Sequence, residues 1–363
     1  MSKKKNKKII SSHTGFQPLE EVWLGGTYPV DFYDELDQEI FDGFAKVTEL
    51  TNITLSNIKK KLEELGVKVR QPMFDADSSF YRDADDRLIK PPICPRDFNL
   101  TLGESMYNVN IGWQKNPFQH IIDEYESHGE KIIHVDRGKD MHAWVGYGET
   151  VRLGKDLYID VEFEEKFDNK RLQKCIEGFN VLAAGYRKHF LHIGGHADGV
   201  FCPVKEGVLI STHYAGKKIY QETFPGWEVL WLNDVAQKRK EIARQSKINL
   251  EHSRWWTPDN NFMSPIFSNY IYNYAKNWGG NAAETIFDVN MLVVDEKNVI
   301  CVVEDDCVLG LLHKQNINVH VIKHPARGFW DAGFHCMSSD IRRNGECKDY
   351  FPNREKNFER HYY

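Results

Sequence analysis

The chain has 363 residues, 41% of them hydrophobic and 28% charged, with a formal net charge of −6. That balance suits a soluble globular protein and offers no basic surface for nucleic acid. No apolar run nears the length that spans a bilayer, and the seven cysteines (94, 175, 202, 301, 307, 336 and 347) lack CxxC or CxH spacing, so we expect free thiols in a reducing cytoplasm, no disulfide framework and no metal site.

The basic start MSKKKNKK reads as a disordered solubilising end, and residues 1–16 are taken as a tail. A strand is expected at 21–24, then a helix over 34–65 with a break near Thr51–Thr54, then a strand at 67–71. Residues 74–95 are polar and end in prolines, so they read as a long exposed loop. Strands at 98–102 and 106–109 pair as a hairpin across Gly103, followed by a helix at 117–127 and a strand at 131–135. The cycle recurs with a strand at 156–159, a helix at 170–186 and a strand at 190–193, then strands at 199–201 and 207–211, a helix at 217–222 and a strand at 228–232. After a charged stretch at 237–258 come a helix at 268–277, strands at 287–294 and 299–303, a helix at 304–315, and strands at 318–322 and 335–338.

Strand–strand–helix–strand therefore recurs where a doubly wound sheet would alternate strand and helix singly. No GxGxxG follows a strand and no Walker A loop exists, so nucleotide binding has no support. No Gly-, Pro- or Ser-rich linker divides the chain, which reads as one α/β domain over 17–363.

Four segments crowd reactive side chains beside glycine or proline. In Gly194-Gly195-His196-Ala197-Asp198-Gly199, the His and Asp lie two residues apart, and on an extended segment both would face one way. In Gly333-Phe334-His335-Cys336, the thiol is either a buried filler or a nucleophile whose thiolate a nearby His stabilises. Cys94-Pro95-Arg96-Asp97 closes the polar loop, and Asp97 either pairs with Arg96 or serves chemistry. The acidic residues of the stretch from Gly148 to Asp156 either orient a His or belong to a charged surface hairpin.

Together these segments resemble the amidinotransferases of the glycine amidinotransferase type, in the guanidino-group-modifying superfamily. The most specific match is Gly333-Phe334-His335-Cys336 leading to Asp340-Ile341-Arg342-Arg343; His196-Ala197-Asp198, Pro95-Arg96-Asp97 and the strand around Asn290–Val299 add to it. The resemblance implies a five-bladed α/β propeller with pseudo-fivefold symmetry. It implies Cys336 as nucleophile, His196 as general acid/base, Asp97 and Asp198 as the carboxylates holding a guanidinium, and Glu149 as the partner of the His, where the family has Asp. Lys217 stands near the family's basic contact to the arginine carboxylate. The implied reaction moves the amidino group of L-arginine to an amine, glycine being the leading acceptor, and releases ornithine without metal or organic cofactor. Family precedent also suggests a homodimer. The alternatives are a deiminase or dihydrolase, in which water takes the acceptor's place, and a non-catalytic arginine-binding protein. Residues 74–92 or 237–258, the latter with Trp255-Trp256, are candidates for a lid.

Overall fold

The computed structural model describes residues 8–135, 148, 150–160, 169–191, 197–212, 216–232, 264–275, 278, 289–302, 305–330 and 332–362. Strand β1 (Leu19–Leu24), helix α1 (Gln38–Glu64) and strand β2 (Lys68–Arg70) come first. The next unit is β3 (Asn99–Leu102), β4 (Ser105–Val109), α2 (Gln119–Ser127) and β5 (Lys131–Val135). It is followed by β6 (Thr150–Leu153), β7 (Asp156–Asp160), α3 (Asn169–Leu182) and β8 (Arg187–Leu191), then by β9 (Phe201–Lys205), β10 (Val208–Ser211), α4 (Lys217–Thr223) and β11 (Glu228–Trp231). Helix α5 (Pro265–Tyr274) precedes β12 (Leu292–Asp295), β13 (Asn298–Cys301), α6 (Asp306–Lys314) and β14 (Asn318–Val321). Helix α7 (Arg327–Trp330), β15 (Ser338–Arg343) and β16 (Glu359–Tyr362) finish the chain.

These strands form five small sheets, four of three strands and one of four. Each contains the same core: an antiparallel pair whose second strand then pairs in parallel with the strand beyond a helix. It holds for β3-β4-β5, β6-β7-β8, β9-β10-β11 and β12-β13-β14. The first sheet completes the pattern by borrowing β15 from the far end of the chain, antiparallel to β1, while β1 pairs in parallel with β2 across α1. The sheet of β1 thus joins an early and a late segment of the chain, while β16 adds to the sheet of β8. Among the described residues no helix is long and apolar enough to cross a membrane.

Several expectations change in the folded chain. Helix α1 runs unbroken through Thr51 and Thr54, which are buried with their hydroxyls satisfied within the helix by the carbonyls of Val47 (2.6 Å) and Leu50 (3.0 Å) four residues earlier. The polar stretch 74–95 is no loose loop: Tyr81 and Ile93 are buried, and the Tyr81 hydroxyl accepts from the Asp75 amide at 2.7 Å. The tail assignment fails after residue 8. Ile10 is fully buried, the Ile9 and Ile10 amides donate to the Glu130 carboxylate, and Ser11, Ser12 and Thr14 bridge to Arg342, Gly103 and Leu153. The Gly148–Asp156 stretch contributes a hairpin, but β6 and β7 are buried rather than exposed. Strand β15 starts at Ser338, so residues 335–337 of the expected strand at 335–338 form a turn. The stretch 237–258, with Trp255-Trp256, lies outside the described residues.

The sheets meet on one carboxylate. Asp340 of β15 is buried and bound by Arg96 Nη2 (2.8 Å), Arg152 Nη2 and Arg343 Nε (2.9 Å), and by the Ser12 hydroxyl (2.7 Å). Arg152 also donates to the Thr101 carbonyl on β3, and Arg343 reaches the Val293 carbonyl on β12 at 2.9 Å. Burial opposes the charge of Asp340, but Arg152, Arg343 and Arg96 hold its carboxyl well below the ordinary range. Removing one member of a buried pair leaves the others uncompensated. The variant Asp340→Asn should therefore lose on the order of 3–5 kcal/mol of unfolding free energy in urea denaturation.

A second buried group is sensitive to acid. His324 lies beside the Phe334 ring, tilted to it at 6.1 Å between centroids, neither of its nitrogens has a hydrogen-bond partner among the described residues, and burial, then Arg327, push its pKa down to about 3. An unfolded chain takes that proton near pH 6.5, at roughly the ordinary histidine value. Between about 6.5 and 3 the unfolded state binds the extra proton, so this residue costs stability as pH falls through that window and nothing above it. In the variant His324→Leu, a plot of urea midpoint against pH should be flatter over this window than in the parent.

Candidate active site

Cys336 sits in a tight turn between α7 and β15. Met337 N donates to the Gly333 carbonyl (3.1 Å), and the Ser338 hydroxyl donates to the Phe334 carbonyl (2.8 Å), which fixes the loop from within. From outside, Arg96 Nε donates to the His335 carbonyl at 3.0 Å, so the turn is tied to the charge cluster on Asp340. Arg96 therefore pairs with Asp340 and not with its neighbour Asp97.

The thiol is enclosed by two other segments. Asn290, directly before β12, accepts from Cys336 N through Oδ1 (3.0 Å) and donates to Cys336 Sγ through Nδ2 (2.9 Å). Its backbone carbonyl accepts from His335 N at 3.3 Å. The approach is close enough to require Gly333, since a Cβ there would lie 2.6 Å from both oxygens of Asn290. From a third segment, Asp198 Oδ2 lies 3.4 Å from Sγ and 2.6 Å from His335 Nδ1. Burial first, then Arg96, lowers the His335 pKa against the opposing pull of Asp198. A neutral ring facing a carboxylate must place its proton on Nδ1 and donate. Next to these groups a cleft is lined by Arg96, Thr150, Arg152, Asp198, Cys202 and His335.

The expected site residues fare differently. Cys336 and Asp198, 138 positions apart in sequence, are brought into contact. Asp198 arrives on a 3-10 turn, Ala197–Gly199, so the alternation argument that paired it with His196 does not apply. His196 and Glu149 lie outside the described residues. Asp97 is on the 3-10 turn Pro95–Asp97, partly exposed and 3.8 Å from Lys90 Nζ. Lys217 opens α4. Asn290, Arg96 and Asp340 stand within the motifs quoted from the sequence, and Arg152 within the Gly148–Asp156 stretch, but none was given a role there. The available signal was a charged residue amid apolar or turn-forming neighbours, as in Val151-Arg152-Leu153, which a solvent-facing strand position would also produce.

No family model matches the chain. It is 20% identical over 385 aligned positions to inosamine-phosphate amidinotransferase 1 of Streptomyces glaucescens, spanning 94% of this chain and 99% of that one. The chain is similar to the amidinotransferases over nearly its whole length. The likeness extends to solved amidinotransferase folds. StrB1, an inosamine-phosphate amidinotransferase of Streptomyces griseus, superposes with a TM-score of 0.65 at 17% identity, covering 95% of this chain and 99% of that chain. SxtG, an amidinotransferase from Microseira wollei in the saxitoxin biosynthetic pathway, gives 0.64 at 16%, covering 94% and 100%. The N-terminal domain of ArgZ, an arginine dihydrolase from the ornithine–ammonia cycle in cyanobacteria, gives 0.51 at 11%, covering 89% and 98%.

The close approach at Gly333 is directly testable. A methyl group there must displace the Asn290 backbone or side chain, and overpacking of this kind costs roughly 1–3 kcal/mol. The variant Gly333→Ala should unfold at lower urea concentration by that amount.

Proposed function

We propose that this amidinotransferase relative takes the amidino group of L-arginine onto Cys336 and passes it to an acceptor amine. The observation that carries the reading is the Cys336 thiol held between the Asn290 amide and the buried Asp198 carboxylate. A guanidinium is planar and cationic, so fixed carboxylates bind and orient it. Asp198 and Asp97 take that role in this reading. A cation against Asp198 also offsets the negative charge beside the sulfur, which favours the thiolate.

The steps then balance. His196 takes the thiol proton, and the Cys336 thiolate attacks Cζ of the guanidinium to give a tetrahedral adduct. The Cζ–Nε bond breaks, His196 returns the proton to Nε, and ornithine leaves an S-amidino-cysteine. An incoming amine attacks the same carbon, gives its proton to His196, and the C–S bond breaks to restore the thiol. Glu149 orients His196. Glycine is the acceptor proposed from the sequence resemblance; an aminocyclitol phosphate is the second, since the relatives are named for inosamine phosphate. The architecture that goes with this reading is one catalytic domain whose five sheets are the blades of an α/β propeller. Its support is the fivefold recurrence of the antiparallel-then-parallel unit.

Hydrolysis is the rival: ammonia leaves in place of ornithine, the citrulline skeleton stays on Cys336, and water then releases citrulline; the fold likeness to an arginine dihydrolase keeps it in view. Protein incubated with arginine should gain the mass of one amidino group on the peptide carrying Cys336, and Cys336→Ala should not. With glycine or an aminocyclitol phosphate added, ornithine and the amidino-acceptor should form. Citrulline and ammonia without any acceptor would overturn transfer in favour of hydrolysis.

A further inference from the structure

We propose that Asn290 is the residue that positions the Cys336 sulfur and stabilises its thiolate. The two sides of a side-chain amide differ: the oxygen accepts and the nitrogen donates. A backbone N–H only donates, so the atom of Asn290 facing Cys336 N must be the carbonyl oxygen, and the NH₂ group is thereby turned toward Sγ. The orientation is fixed by chemistry. Asn290 is buried and both ends of its side chain are spent on this single residue.

A donor aimed at sulfur distinguishes the two protonation states. It bonds weakly to a neutral thiol and strongly to a thiolate, because hydrogen bonds to ionised acceptors are roughly twice as strong as neutral ones. Asp198 Oδ2, at 3.4 Å, does the reverse, since a carboxylate accepts from S–H and repels S⁻. The sulfur therefore sits between one group favouring the anion and one favouring the thiol. In the proposed reaction Cys336 becomes a thiolate twice, before attack and again when the amine expels it. The same N–H serves both moments, and the grip on Cys336 N keeps the sulfur from swinging away between them. Asn290 also couples to the turn through its backbone carbonyl and His335 N. Gly333 is the residue whose lack of a side chain lets it come so close.

This inference rests on Cys336 being the nucleophile of the proposed function, and its test separates the two. Iodoacetamide labelling of the Cys336 peptide, followed by mass spectrometry from pH 5 to 10, reads thiolate formation without substrate. Amidino-adduct formation from arginine reads the chemistry. The variant Asn290→Asp keeps the volume and the acceptor for Cys336 N while turning an oxygen toward sulfur; Asn290→Ala removes both contacts. The labelling midpoint should rise by about one pH unit in Asn290→Ala, the size expected for losing a hydrogen bond to a charged group, and by more in Asn290→Asp. Adduct formation near pH 7 should slow about tenfold in Asn290→Ala, following the thiolate fraction. A labelling midpoint unchanged in folded Asn290→Asp overturns the proposal even if Asn290→Ala fails to fold. A shifted midpoint with no amidino adduct in the parent supports the role of Asn290 at the sulfur and removes the amidino-transfer reading instead.

Discussion

Three guanidinium groups converge on the single carboxylate of Asp340, in the interior, with the Ser12 hydroxyl as a fourth donor. A buried carboxylate is costly unless paired, and three buried arginines are costlier still unless each has acceptors to spare. The chain meets that demand by spending backbone carbonyls from β3, from the turn at His335, from Gln17 and from β12 on the remaining N–H groups. The cluster consequently specifies where four of the five sheets stand relative to one another. Hydrophobic packing, which is non-directional, would hold the sheets together without setting their register so narrowly.

The candidate active site inherits its geometry from that cluster. Arg96 bonds Asp340 with one nitrogen and the His335 carbonyl with another, so the turn presenting Cys336 is hung from the central charge network. Its other supports come from the segment before β12, through Asn290, and from the turn before β9, through Asp198. A thiol held by three separate chain segments lies in a fixed direction, as attack on a planar carbon requires. The two chain ends serve the same purpose. The N-terminal strap brings Ser12 to Asp340, and β15 carries Asp340 and Arg343 into the sheet of β1.

Much of this organisation could be read along the chain because it is local. The hairpin of β3 and β4 turns at Gly103, which has a φ of 58°, and glycine adopts that conformation freely. Helices α2, α4 and α6 and strands β5, β10 and β14 fell close to the apolar patterns that suggested them. Where the pattern misled, a long-range contact had reversed a local preference. The polar stretch 74–95 looks solvent-facing until Tyr81 and Ile93 find the core. The segment after the basic start looks like a tail until Ile10 and Ser12 dock between sheets.

The sequence by itself determined the recurring strand–strand–helix–strand order, the candidate nucleophile Cys336 and the resemblance that gives it a chemistry. Those features depend on residue type and near neighbours, which a linear string preserves. Only the tertiary structure decided what surrounds the sulfur. Asn290 and Asp198 stand 46 and 138 positions from Cys336, and nothing local to either announces the contact. It likewise decided that Arg96, Arg152 and Arg343 answer to Asp340, because a charged side chain on a strand reads the same whether it faces water or a buried partner. For Arg152 the partner lies on another sheet, and burial exists only once the sheets have met.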